Sequence, residues 1–163
     1  MSVATLVVAI LGFIGVLFAL RQTYLARLRQ FEAKYVERYW AILDGMSLSA
    51  LSLADQVADE DDEKVIRKYI LLCEDELQMR KIGYISDSTY DEWADGMLSQ
   101  FKQPMFGKVW KKVRGEWDAK ERGSFPYEHL SDLLDADSIR RGDPNKMLPA
   151  MRMIRGLTVG RRA

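Results

Sequence analysis

The stretch Val3-Ala-Thr-Leu-Val-Val-Ala-Ile-Leu-Gly-Phe-Ile-Gly-Val-Leu-Phe-Ala-Leu20 decides how this chain is read. From Met1 to Leu20 there is no charged side chain, and Arg21 follows at once. Coiled as an α-helix at 1.5 Å per residue, such a run covers about 30 Å, the thickness of a bilayer's hydrocarbon core. A cleaved secretory leader has a basic start, a shorter apolar run and a small-x-small cleavage site. Met1-Ser2 carries no basic side chain, and Phe18-Ala19-Leu20-Arg21 offers no such site. The core helix of a small soluble domain keeps a polar face, which this stretch lacks. The expectation is a retained single-pass membrane anchor.

Charge sets the expected orientation. Arg21, Arg27, Arg29, Lys34 and Arg38 follow the span, against Glu32 and Glu37. Positive flanks stay on the cytoplasmic side, so the N-terminus is expected outside and the rest of the chain in the cytoplasm. A single cysteine, Cys73, agrees with a reducing compartment.

A second pattern is written over the first. Thr5, Ala9, Gly12, Val16, Ala19, Thr23, Ala26, Gln30 and Ala33 recur at alternating fours and threes, and so share one helix stripe. Gly15, four residues before Ala19, lies beside it. Small residues let membrane helices approach closely, where dispersion replaces the hydrophobic drive that lipid removes. The stripe is read as a self-association seam, which makes a homo-oligomer the expected state.

Beyond the span the helical pattern continues. No Gly or Pro interrupts Arg21 to Leu43, and Leu25, Leu28, Tyr35, Tyr39, Ile42 and Leu43 form an apolar face. One helix of about 60 Å, from residue 3 to 43, is the consequence. The chain divides into a transmembrane anchor (1–20), a juxtamembrane helix (21–45), a cytoplasmic helical domain (46–137) and a basic C-terminal tail (138–163). That leaves about 140 residues outside the anchor, enough for one core and too few for two.

Breakers and caps divide the body into helices. Asp44-Gly45 ends the long helix, and Ser47 to Val57 is read as a short one. Asp59 is a candidate N-cap for a helix to Ile82, with acids at its start, Arg80-Lys81 at its end and Gly83 as its stop. Its core stripe is read as Val65, Tyr69, Leu72, Cys73 and Leu77, with Glu76 an intruder. Ser86 or Asp87 caps a helix to Phe101 that buries Tyr90, Trp93, Ala94, Met97 and Leu98. Pro104 opens a fourth through Trp117, with Met105, Phe106, Val109, Trp110 and Val113 on its apolar side. Pro126 to Ala136 is a short helix, and Asn145 to Ile154 another. No period-two alternation stands out, so the fold class is all-α: a long N-terminal helix followed by a small helical bundle.

Tyr69, Cys73-Glu74-x-Glu76-Leu77, Lys81-x-Gly83-Tyr84-Ile85, Trp93, Gly96-Met97, Pro104-x-Phe106 and Trp110 form a pattern over residues 35–117. It resembles one in small bacterial single-pass membrane-anchored proteins with a cytoplasmic helical domain of unknown function. The resemblance implies an architecture and a bacterial source, and carries no activity to any residue. Such proteins are suspected of roles in phage defence or prophage biology.

Composition limits the chemistry. Twenty-four basic residues balance twenty-four acidic ones, so no global field draws the chain to nucleic acid, which is not an expected partner. There is no Gly-rich phosphate loop, nucleophile elbow or Cys-x-x-Cys pair. His129, the only histidine, is read as a surface or half-buried residue. Cys73, mid-helix beside Leu72, is read as a small hydrophobe. Glu74, Asp75 and Glu76, with Asp91, Glu92 and Asp95, lack the Glu-x-x-His of a helical di-metal site. They are read as a solvated face, Glu74 and Glu76 pairing with Arg80 and Lys81. No catalytic residue, cofactor or metal is expected.

Two basic patches remain. Lys108, Lys111, Lys112 and Arg114 around Trp110 mix cations with an aromatic plane, the combination that holds a nucleotide-like anion. The competing reading puts Trp110 and Trp117 in the core and the cations in solvent. In the tail Lys146, Arg152 and Arg155 surround Met147, Leu148, Met151 and Ile154, a basic amphipathic pattern suited to anionic lipid, as are Arg21, Arg27 and Arg29. The expected function is a membrane-anchored, self-associating, non-enzymatic interaction module or effector with a protein partner in the cytoplasm. The acidic run 55–63 and the basic helix 108–114 are its expected docking surfaces. A sensor for a small anionic ligand is the alternative, and a membrane-bound carboxylate enzyme a further one.

Overall fold

A computed structural model of the chain describes residues 2–47, 60–118 and 124–146. Every regular element among them is helical, as the sequence requires. The helices are α1 (Val3–Leu43), α2 (Glu60–Ile82), α3 (Asp87–Phe101), α4 (Pro104–Asp118), α5 (Glu128–Leu134) and α6 (Ile139–Gly142). The short helix read at Ser47 to Val57, the Asp59 cap and the helix read from Asn145 to Ile154 lie wholly or largely outside the described residues.

α1 runs unbroken for 41 residues. The Ser2 hydroxyl accepts from the Thr5 amide and so caps its first turn. It ends at Asp44-Gly45, and both the Ser47 amide and hydroxyl donate to the Asp62 carboxylate on α2, at 3.1 and 2.9 Å. The two ends of α1 differ. Its apolar N-terminal portion touches nothing: Val3, Phe13 and Phe18 are all more than half exposed, and none of the most apolar window is buried. α1 is long and apolar enough there to cross a membrane. From Tyr24 onward a second face is covered, with Leu28 and Tyr35 buried and Tyr39, Ile42 and Leu43 half-buried.

α2 is the central helix and packs against α1, α4 and α5. It therefore buries a wider arc than a one-sided stripe. Tyr69, Leu72, Cys73 and Leu77 are inside, and so are Ile66 and Ile70, which the expected stripe omitted. Those two lie at i, i+4 in line with Cys73 and Leu77, as a helix covered on more than one side allows. Aromatic edges continue the core: Tyr69 meets Phe106 at 5.5 Å, and Trp110 meets Phe101 at 5.8 Å and Phe125 at 5.8 Å, all centroid to centroid.

α2 stops where Gly83 adopts φ +89°, a backbone that favours glycine. The Gly83 amide donates to the Arg80 carbonyl and the Tyr84 amide to the Met79 carbonyl, which satisfies the last carbonyls of the helix. Ser86 caps α3 through the Thr89 amide, and Pro104 opens α4. α6 was not anticipated. Ser138 caps it, and residues 138–146, which the sequence placed in the tail, pack on the body: Asn145 is buried and donates its side-chain amide to the Arg80 carbonyl.

Candidate functional site

Three helices leave a hollow between them of about 400 Å³. α1 contributes Tyr35, Val36, Tyr39 and Trp40, and α2 contributes Tyr69 and Glu76. α3 closes the third side with Trp93, Gly96 and Met97, and with Glu92, Ser99 and Gln100 towards solvent. The rings reach the wall because Tyr35 and Tyr39 sit one turn apart on the body-facing side of α1. Tyr35 and Trp93 lie 6.0 Å apart, and Tyr39 and Tyr69 6.1 Å.

Glu76 is the unusual member. It is 7% exposed, and it makes no hydrogen bond or ion pair with any described residue. Burial pushes its carboxyl up to about 8; the nearby Arg38 opposes that shift and Asp75 adds to it. The expectation of a solvated Glu76 paired with Arg80 or Lys81 is therefore corrected. Arg38 is taken by Asp75 at 2.8 Å, and the Tyr35 hydroxyl donates to the same carboxylate at 2.9 Å. The same guanidinium stacks 5.0 Å over the Tyr35 ring. Burial and the Asp75 hydrogen bond raise the Tyr35 phenol to about 12.

Arg80 and Lys81 have other partners. Arg80 is buried and meets Asp143 and Asp87, each at 2.7 Å. The Lys81 ammonium lies 3.2 Å from His129 Nε2. His129 is itself buried, contrary to the surface reading, because α5 packs onto α2: its ring also meets Gln78 at 2.9 Å. Glu74 receives the His129 and Leu130 amides at 3.3 and 2.8 Å and so caps the start of α5 from another helix. Cys73 is fully buried, and burial pushes its thiol well up, as suits a structural residue.

The basic helix is divided by the fold. Trp110 is buried in the core. Lys112 pairs with Glu63 at 2.7 Å, and Arg67 ties Glu63 to Glu116. Hydrogen bonds from Lys112 and then Arg67 hold the Glu63 carboxyl below its usual range. The C-terminal end of the acidic run thus meets the basic helix within the molecule. Arg114 contacts Asp135 at 3.3 Å and lies 5.9 Å over the Trp110 ring. Lys111, with Lys102, borders a shallow hollow of about 570 Å³ beside Arg114, and Lys108 is exposed.

The seam residues Thr5, Ala9, Gly12, Gly15, Val16, Ala19, Thr23 and Ala26 are all exposed. At 100° per residue they fall roughly opposite the face that Leu28 and Tyr35 turn to the body. A side chain added at Gly12 or Gly15 would meet nothing within 4 Å. Arg21, Arg27 and Arg29 are exposed; Lys146 donates to the Arg141 carbonyl at 2.9 Å. Arg152 and Arg155 lie outside the described residues. Among the described residues no group of three or more His, Cys, Asp or Glu side chains is placed to hold a metal ion.

Compared with known proteins, the chain matches no family model, no curated sequence and no solved structure. Fold and site therefore define the class: an α-helical protein with one N-terminal helix long and apolar enough to span a membrane, carrying a helical body on the same helix.

Proposed function

We propose that the chain is a single-pass membrane-anchored, non-enzymatic interaction module that holds its helical body against the cytoplasmic face of a bacterial inner membrane. One observation carries the reading. α1 is a single rigid element, wholly exposed along its apolar part and covered by the body along its continuation. An exposed apolar surface of that length is costly in water and is satisfied by lipid. The Arg21, Arg27 and Arg29 side chains then lie on the inner side.

Self-association through Thr5, Gly12, Val16 and Ala19 belongs to the same reading. It is supported by the body packing on the opposite face, which leaves the stripe open to a second copy. A cytoplasmic protein partner completes the proposal. Orientation and anchoring are tested together by a membrane-impermeant thiol reagent on intact cells. Cys73 is buried and silent, so Ser2→Cys and Asp95→Cys, both at exposed positions, report alone. Labelling of Ser2→Cys in intact cells, and of Asp95→Cys only after lysis, is the expected result. The reverse pattern overturns the orientation.

A further inference from the structure

We propose that the hollow between α1, α2 and α3 is a binding site for a small organic ammonium ion, with Glu76 as its counter-ion and Tyr35, Tyr39, Tyr69 and Trp93 as its wall. Glu76, unpaired among the described residues, keeps its proton near neutral pH while the hollow is empty, and an entering ammonium ion stabilises the ionised form and releases that proton. Aromatic rings attract cations through their negative faces, most strongly where water is excluded. Here both features line one cavity of about 400 Å³, within the range of about 300 to 1,000 Å³ common for small-ligand sites.

Among the described residues no cationic side chain lines the hollow. Arg38, which does not line the hollow, is held by Asp75 and stacks on the Tyr35 ring. Gly96 supports the assignment independently. It lies inside the unbroken α3, where glycine lowers helix stability, and a Cβ there would meet nothing within 4 Å. Gly96 lines the hollow, and a larger side chain there would have open space to occupy. Ser99 and Gln100 at the rim suit a hydroxyl or carbonyl on the far end of the ligand.

The source is a free ion rather than a lipid headgroup. Tyr35 lies fifteen residues past Leu20, about 22 Å along the helix, which is beyond headgroup reach. The exclusion of a headgroup rests on the anchoring proposal, which sets Leu20 at the membrane edge; the site itself does not, and a chain that fails to enter membranes can still pass this test.

The experiment is titration calorimetry on the full chain in a maltoside detergent, which carries no ammonium group. The probes are choline, butylammonium and 3,3-dimethylbutanol, the uncharged isostere of choline. We expect saturable binding of choline or butylammonium, with the alcohol at least about tenfold weaker. Glu76→Gln, which keeps the shape, should weaken the cation by about tenfold or more and leave the alcohol unchanged. Gly96→Met, an improvement in helix propensity, should block all three probes. Saturation by choline alone indicates a methylated ammonium, and by butylammonium alone a primary amine; either supports the site. No saturable binding of either cation up to about 50 mM overturns it, as does equal binding of choline and the alcohol. Cation affinity that is unchanged in Glu76→Gln also overturns it.

Discussion

The guanidinium of Arg80 and the carboxylate of Asp143 meet through two parallel hydrogen bonds, Nε to Oδ1 at 3.1 Å and an Nη to Oδ2 at 2.7 Å, across 63 residues of chain. Arg80 also donates to the Ile85 carbonyl at 3.0 Å and stacks 4.8 Å over Tyr90. One side chain thus joins the end of α2, the start of α3 and the segment after α6. Asp143→Asn leaves the buried Arg80 with Asp87 as its remaining carboxylate and weakens two charged hydrogen bonds, a loss of about 2 kcal/mol. Thermal unfolding of the full chain in detergent should show it. A change close to zero would mean that water replaces the carboxylate.

Glu76 makes the body's stability depend on pH, with a sign opposite to that of most acids. Its folded value is raised to about 8, against about 4.3 for a free glutamate. Between those values the folded state binds more protons than the unfolded state, so stability falls as pH rises. The groups facing it are Tyr35, Arg38 and Tyr39 from α1, Tyr69, Cys73 and Asp75 on α2, and Glu92 from α3. Burial raises the three tyrosines and Cys73 above their ordinary values, away from this window. Glu76→Gln should therefore gain on the wild type from about pH 5 to about pH 8 and level off above, by a few kcal/mol. An offset independent of pH would show that Glu76 is solvated.

Three kinds of glycine should respond differently to alanine. At Gly142 a Cβ would sit 2.8 Å from the Leu133 Cα, a backbone atom that cannot swing aside. Gly142→Ala should cost about 2 kcal/mol. Gly83→Ala meets no atom but keeps a positive φ, and should cost about 1 kcal/mol. Gly96→Ala meets no atom at ordinary helical geometry and should stabilise by up to about 1 kcal/mol. Chemical denaturation in detergent would rank them, and the reverse order for Gly142 and Gly96 would contradict this packing.

Bulk at Gly12 and Gly15 tests the seam without disturbing the folded chain, since neither position has a neighbour. Mass in a mild detergent or nanodisc should show a defined oligomer for the wild type and a smaller species for Gly12→Leu with Gly15→Leu. A monomer in both would reduce α1 to a tether.

Local signals were legible in the sequence. Ser86, Pro104, Gly83 and Asp44-Gly45 each mark a helix end by the chemistry of caps and breakers, and the structure keeps all four. The long helix and the core side of α4 followed from periodicity. What escaped depends on partners distant in sequence. Arg80 reads as an ordinary last-turn cation until Asp143 is brought to it. Ile66 and Ile70 were missed because α2 is covered on two flanks, which a one-sided stripe does not represent. Glu76 did leave a signal, as the charge interrupting an apolar stripe. That it faces a cavity depended on where α1 and α3 set their aromatic rings.

The proposed function depends on α1 lying in lipid. Alkaline carbonate extraction of membranes, applied to the wild type and to Leu11→Arg with Ile14→Arg, tests it most directly. Each arginine at mid-span opposes insertion by about 3 kcal/mol and touches nothing in the body. The wild type is expected in the pellet and the double variant in the supernatant, with its helical content retained. Recovery of the wild type in the supernatant would contradict it.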